Sequence, residues 1–238
     1  MVVLEEFHSD SLPRYLGICF LISQRLLIEI AKATDTTLYI GLFDLAKAFD
    51  KVSRYLLLKK LVVRGISKCM LHALKRLYMC TYCVLSFGNE VSDKFRTLTG
   101  IRQGATSSTL LFIGFIDDIV DYLEERCQAE PILDVLYCLL HADDTAIVST
   151  NRELFVKKCN HMLDYFEANQ LKLNFSKCEY LIINGKEEDL KTPLGLSYGA
   201  LEYKSVVKYL GMKISDTGSI SEDIVMNIED KKSNVTIK

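Results

Sequence analysis

The sequence carries no basic excess: 29 Lys and Arg stand against 31 Asp and Glu, a formal net charge of −2. A domain that grips nucleic acid by itself ordinarily has a positive surplus. Here such a surplus is either confined to one face or supplied from outside this chain. No apolar run approaches the ~18 residues of a membrane-spanning helix. Glu5, Glu6 and Asp10 precede the first apolar segment, the wrong charge for a secretory leader. These absences predict an intracellular protein, cytoplasmic or nuclear, neither secreted nor in a membrane. With three prolines, no low-complexity tract and no repeat of fixed period, nothing marks a linker or a solenoid. Cys80 and Cys83 form a CxxC with no second pair at zinc-finger spacing. Most of the eight cysteines, Cys19, Cys69 and Cys138 among them, lie in apolar segments, as small core residues do in a reducing compartment.

What is there is globular. The 238 residues are 49% hydrophobic and 25% charged, enough for one large domain or two small ones. Periodicity predicts a helix over 15–34, a strand from Thr37 ending in Asp44, and a helical turn over 45–50. A helix capped by Ser53 and stopped by Gly65 comes next, then one from Ser67 to about Met79. Leu71, Leu74, Leu77 and Tyr78 of that last helix should face inward, and Lys68, Lys75 and Arg76 outward. Residues 82–98 alternate about a Gly88-Asn89 turn. A glycine-flanked loop, Gly100–Gly104, leads to a long helix over 106–126 whose acidic residues form its wet side. Strands at 135–140 and 145–149, a helix at 152–169, and strands at 178–183 and 206–214 complete an α+β fold, an antiparallel sheet with helices packed on one face.

The stretch Leu139–Val148 is chemically the oddest. Asp143 and Asp144 interrupt two apolar half-segments, so a tight hairpin would lift both carboxylates to its tip. At an effective dielectric near 20, like charges ~4 Å apart repel by roughly 4 kcal/mol. A divalent cation, which takes carboxylate oxygens, removes that penalty. Asp44 ends another apolar strand. If the two strands are neighbours, three carboxylates converge on one sheet edge, the layout that two Mg²⁺ ions need in phosphoryl transfer. Asp50, six residues after Asp44, reads as a local cap or ion-pair partner.

Five segments in order, FDLAKAFDKV, GIRQGATSSTLLF, HADDTAI, LKLNFSKCEYLI and KYLGMKIS, resemble the successive palm motifs of reverse transcriptases. The nearest likeness is to non-LTR (LINE-type) retrotransposons, over residues 17–216. The resemblance implies an RNA-directed DNA polymerase with a palm fold, two Mg²⁺ ions (Mn²⁺ substituting), an RNA template, a DNA primer, dNTPs, and other segments of the element's polyprotein as partners. Position by position, it implies that Asp44 and Asp143 hold the ions with Asp144 assisting. Lys177 would give a proton to the leaving pyrophosphate. Phe49 would be the aromatic gate against a ribose 2′-hydroxyl, and Arg102, Gln103 and Gly104 the loop against the incoming nucleotide and template. His141 and Ala142 would lie beside the primer end, and Tyr209, Leu210 and Gly211 would form the hairpin gripping the primer.

Three departures accompany the likeness. His141 stands where the family has Tyr or Phe, and Thr106 and Thr109 where it tends to have prolines. Fingers and thumb should be largely missing: residues 1–216 are expected to be palm with a remnant of fingers in 1–36, and 217–238 a polar tail beginning the thumb. The alternative is a transposon-derived remnant that binds metal or nucleic acid and catalyses nothing. A metal-dependent phosphodiesterase fits the carboxylates but not Phe49 or the Gln-Gly loop.

Overall fold

The structure, a computed structural model, describes residues 25–79, 81–102, 104, 106–130, 138–141, 144–185, 193–219, 223, 225 and 226. The chain divides into two compact units. The first comprises residues 1–45, 120–164 and 173–238; the second comprises 46–119 and 165–172.

The first unit is built on a six-stranded sheet. Its strands are β1 (Leu38–Asp44), β6 (Cys138–His141), β7 (Asp144–Ser149), β8 (Glu179–Ile183), β9 (Leu194–Leu196) and β10 (Gly199–Tyr203), in spatial order β6-β7-β1-β8-β10-β9. Pairing is antiparallel throughout except between β8 and β10, which run parallel. Alternate residues of a strand face opposite ways, and both faces are used. Leu38, Ile40, Leu42, Ala146, Val148, Leu181 and Ile183 form one buried face. Against it pack Leu27, Ile28 and Ala31 of a helix (α1, residues 25–33), with Val207, Tyr209 and Ile214. On the other face Phe155 of α7 (Arg152–Ala168) lies between Tyr39 and Tyr180, with ring centroids 5.7 and 6.3 Å away. A Cβ at Gly41 would come within 2.8 Å of that Phe155 ring, so the strand lacks a side chain where the helix crosses it. The expected α+β class holds, but helices on one face only do not: among the described residues α1 packs on one face and α7 on the other.

One further expectation is corrected here, and one element is added. The single strand at 206–214 is a hairpin, β11 (Val206–Tyr209) and β12 (Met212–Ser215), turning at Leu210 and Gly211 with φ of +49° and +78°. The β9–β10 hairpin went unread because its Gly-rich strands carry almost no apolar alternation. Beneath β7, Lys158 and Glu130 form a buried ion pair. Glu130 also accepts Ser149 Oγ, Thr150 N and Thr150 Oγ1 at 3.0, 2.6 and 2.7 Å. Burial works to raise the Glu130 pKa, and Lys158 and Thr150 together overcome it and hold the carboxyl below its ordinary value.

The second unit holds α2 (Ala48–Lys51), α3 (Arg54–Val63), α4 (Lys68–Met79), a ribbon of short strands β2–β5 over 82–96, and α5 (Thr106–Ile116). Ser53 caps α3 by accepting Leu56 N, and Gly65, at φ +78°, ends it. The long helix expected over 106–126 breaks at Asp117–Asp118, and a short α6 (Ile119–Glu124) follows. The acidic residues lie on the wet side as expected, Asp117 exposed and Asp118 half-buried, and both are paired: Arg64 with Asp117, Lys60 and Tyr165 with Asp118. In α4, Tyr78 is buried and Leu71 and Leu74 are half-buried, but Leu77 is exposed, contrary to its expected inward placement. No helix among the described residues is long and apolar enough to cross a membrane.

Candidate functional site

The hairpin read from the sequence forms. β6 and β7 pair with His141 opposite Asp144, and β7 pairs with β1 so that Asp44 and Asp144 are direct cross-strand partners. Opposed Cβ atoms in such pairs lie ~4.5–5.5 Å apart. Each carboxylate continues an apolar row, Leu38-Ile40-Leu42-Asp44 on one strand and Val148-Ala146-Asp144 on the other, so both project from the same face. Ala142 and Asp143, which connect His141 to Asp144, lie outside the described residues, as does Gln103.

A strap fixes the end of β1. Leu173 bridges Leu45, and Asn174 N–H donates to Asp44 O at 2.9 Å. A 3₁₀ turn, Phe175–Lys177, follows at once and brings Lys177 Nζ to 3.6 Å from Asp44 Oδ2. The lysine side chain is 65% exposed and the aspartate 35%, so water screens this pair and leaves it labile. Next to the strap, burial pushes the Cys178 thiol up to about 11, so it adds no charge beside Asp44.

These groups line one cleft of about 190 Å³, shared by Asp44, Asp144, Thr145, Lys177, Lys208 and Tyr209. Tyr209 is buried; desolvation, then the negative charge of Asp144, raises its phenol well above the ordinary range. The Tyr209 and Thr145 hydroxyls are buried without a hydrogen-bond partner among the described residues. Sequence reasoning missed Lys208 and Thr145. The signal was available: alternation in Val206–Tyr209 buries Val207 and Tyr209 and turns Lys208 out.

The described donors suit a hard cation, since Mg²⁺ is commonly held by one or two carboxylates plus substrate phosphates. Among the described residues no group of three or more His, Cys, Asp or Glu side chains gathers for a metal. Asp44 and Asp144 are cross-strand partners in this cleft, which Glu179 also lines, and the pair fits such an ion.

Phe49, Arg102 and Gly104 belong to the second unit. Half-buried Phe49 has its ring centroid 5.0 Å from that of Phe112. The glycine loop is laced to it: Ile101 N–H donates to Phe49 O and Gly100 N–H to Val52 O, both at 2.9 Å. Gly100 sits at φ +84°, its Cα side against the Asp50 backbone, where a Cβ would be 2.9 Å from Asp50 O. Arg102 and Gly104 are exposed beyond this anchor. The anchor has an organiser that the sequence did not reveal. Buried Arg54 donates to the carbonyls of Gly100, Tyr78 and Thr97 at 2.7, 2.6 and 2.7 Å.

Comparison with known proteins gives a consistent result. A family model described as reverse transcriptase (RNA-dependent DNA polymerase) matches residues 6–214. The chain is 26% identical over 198 residues to the Drosophila melanogaster "Retrovirus-related Pol polyprotein from type-2 retrotransposable element R2DM", covering 78% of this chain and 19% of that one. It is 24% identical over 211 residues to the Popillia japonica Pol polyprotein from type-1 retrotransposable element R2, covering 84% and 34%. The chain thus spans a fifth to a third of these relatives. Among solved structures, apo telomerase from Candida tropicalis, truncated from its C-terminal domain, superposes with a TM-score of 0.58 at 13% identity, covering 90% of this chain and 39% of that one.

Proposed function

Because this chain belongs to the reverse transcriptase (RNA-dependent DNA polymerase) family, we propose that it is the polymerase palm of a non-LTR retrotransposon, copying RNA into DNA. The observation that carries this reading is the register placing Asp44 opposite Asp144, with Lys177 3.6 Å from Asp44 in the same cleft. The reaction is nucleotidyl transfer. The primer 3′ hydroxyl loses its proton to solvent and its oxygen forms a bond to the α-phosphorus of a dNTP, the bond from that phosphorus to the β-bridging oxygen breaks, and pyrophosphate leaves. Family membership implies dependence on divalent metal. In this reading Asp44, Asp143 and Asp144 would hold two Mg²⁺ ions, with Mn²⁺ able to substitute. Such ions supply Lewis acidity that activates the attacking hydroxyl and offsets charge on the leaving oxygen.

The chain's own groups do the rest. Lys177, exposed and able to leave its screened partner, donates a proton to the departing pyrophosphate. Phe49, steadied against Phe112, walls off a 2′-hydroxyl. Arg102, Gln103 and Gly104 receive the incoming nucleotide, the glycine permitting close backbone approach. His141, Ala142, Tyr209, Leu210 and Gly211 hold the primer end. Residues 1–216 form the palm, with a remnant of fingers in 1–36, and 217–238 begin the connection to a thumb. RNA template, DNA primer, dNTPs and further polyprotein segments are its partners.

The test is primer extension on a primed RNA template with dNTPs and Mg²⁺ or Mn²⁺. Extension that Asp44→Asn and Asp143→Asn both abolish supports the reading. Absence of extension when the chain is joined to flanking segments of its element rejects it in favour of an inactive remnant. His141 in place of an aromatic, and Thr106 and Thr109 in place of prolines at the helix start, are the features that favour the remnant.

A further inference from the structure

The helix α4 carries an exposed stripe of cations. Lys68, Lys75 and Arg76 stand at i, i+7 and i+8, one side of a helix, and all three are exposed. The neighbouring side holds half-buried Leu71 and Leu74 and buried Tyr78, while Met70, Ala73 and Leu77 on the far side are exposed. Arg96 lengthens the stripe: its guanidinium donates to Met79 O, at the C-terminal end of the helix, at 2.7 Å. Directly opposite Arg96 in the adjoining ribbon is Tyr82. The ribbon leaves Tyr82 60%, Phe95 44% and Phe87 88% exposed, with Lys94 exposed beside Phe95.

A helix face that needed only solvation would mix signs, and this one does not. Residues 51–102 contain 11 Lys and Arg against two acids, Glu90 and Asp93. The second unit as a whole has 13 basic and six acidic side chains, while the first has 16 and 25. The chain's net charge of −2 thus conceals +7 on one unit and −9 on the other. Some of the cations are consumed internally: Arg54 by carbonyls, Lys60 by Asp118 and Arg64 by Asp117. Lys68, Lys75 and Arg76 have no such partner among the described residues. An apolar protein partner would have to desolvate this stripe, whereas a polyphosphate neutralises it, and exposed rings offer platforms for unpaired bases.

We infer that α4 and the 82–96 ribbon form a binding surface for single-stranded RNA, with phosphates on Lys68, Lys75 and Arg76 and bases stacked on Phe87 and Tyr82. The surface needs neither Asp44 nor a divalent ion. Only the choice of RNA as the strand rests on the polymerase reading.

The experiment is fluorescence anisotropy with a labelled, unstructured RNA oligonucleotide, the full chain and EDTA, across a salt series. Three chains are compared with the parent: K68Q/K75Q/R76Q, F87A and D44N. Removing three phosphate contacts should flatten the plot of log affinity against log salt by about 2, at roughly 0.7 per contact on a single strand. F87A should bind about fivefold or more weakly with its slope unchanged, and D44N should bind as the parent does. Circular dichroism matching the parent confirms that the variants are folded, their changes being at exposed positions. A parental slope in the triple variant overturns the inference. So does any change of affinity in D44N, tighter binding above all, which would put the RNA in the carboxylate cleft. Equal affinity for polyglutamate with no response to F87A overturns it too, by reducing the surface to charge alone. RNA binding that follows these cations while primer extension fails would leave this inference standing and remove the polymerase reading.

Discussion

Asp44→Asn separates a structural carboxylate from one kept for a ligand. Two effects on the metal-free protein oppose each other. The substitution removes the ion pair with Lys177, which at 3.6 Å and 65% lysine exposure contributes no more than about 1 kcal/mol and less in salt. It also relieves like-charge repulsion across the Asp44–Asp144 pair, of order 0.2–1 kcal/mol. The two nearly cancel, so the variant should unfold within about 0.5 kcal/mol of the parent, a shift in Tm of roughly 1–2 °C for a chain of this size. The backbone bond from Asn174 N to Asp44 O is untouched by the change. With Mg²⁺ the two proteins should diverge. A ligand at ten times its Kd stabilises the parent by about 1.4 kcal/mol, roughly 3–6 °C, and Asp44→Asn should forgo most of that. Thermal unfolding in EDTA and through a Mg²⁺ titration reads both. A loss above about 1.5 kcal/mol in EDTA would make Asp44 a structural residue, and an undiminished Mg²⁺ response would place the ion elsewhere. Either refutes the reasoning.

Three further outcomes are expected. Breaking the buried Lys158–Glu130 pair by Lys158→Met should cost about 3–5 kcal/mol in urea unfolding, because the Glu130 carboxylate would remain buried without its cation. The Glu130 pKa lies below its ordinary 4.5, so its contribution is complete above that value and is lost as pH falls through the folded pKa. Glu130→Gln should therefore be less stable at neutral pH and show a shallower acid limb. Gly41→Ala should cost about 1–3 kcal/mol, since its Cβ meets the fully buried Phe155 ring at 2.8 Å; Gly41→Ala combined with Phe155→Leu should recover part of this. Arg54→Met should leave the carbonyls of Gly100, Tyr78 and Thr97 unanswered and cost about 3 kcal/mol. It should also speed amide exchange at Gly100 and Ile101, whose N–H groups tie the glycine loop to the residues of α2 and its C-terminal end.

Much of this was legible because the relevant signals are local. Strand ends at Asp44 and Asp144, the cap at Ser53, the stop at Gly65 and the turn at Gly88 each follow from a few neighbouring residues. What was not legible depends on partners distant in sequence. The break at Asp117–Asp118 comes with ion pairs from α3 more than 50 residues earlier, so periodicity alone ran the helix through. Arg54 looks like any helix-surface cation until three carbonyls from two other segments surround it. Lys177 looks like a surface lysine until the 173–177 strap is seen pinned to Leu45 and Asp44. The near-neutral total averages two units of opposite charge, so it left open a local basic surplus without locating it.

The site also shows why its carboxylates stay opposed despite repelling each other. Side chains alternate along a strand, so slipping β1 by one residue against β7 would turn Asp44 away from Asp144 and relieve the repulsion. The same slip would carry Leu38, Ile40 and Leu42 out of a face they share with Ala146, Val148, Leu181 and Ile183. Burying each large aliphatic side chain is worth roughly 1.5–3 kcal/mol, against at most about 1 kcal/mol for one like-charged cross-strand pair. The core therefore wins by several-fold and sets the register. Because the acidic residues end the rows that the core locks, packing energy holds two like charges face to face at the sheet edge. A polar substitution deep in the row, such as Ile40→Thr, should thus weaken Mg²⁺ binding at Asp44 in proportion to the stability it removes, without touching the carboxylates. Retained Mg²⁺ affinity in a variant whose core has visibly loosened would show that the carboxylates are positioned by something other than the register.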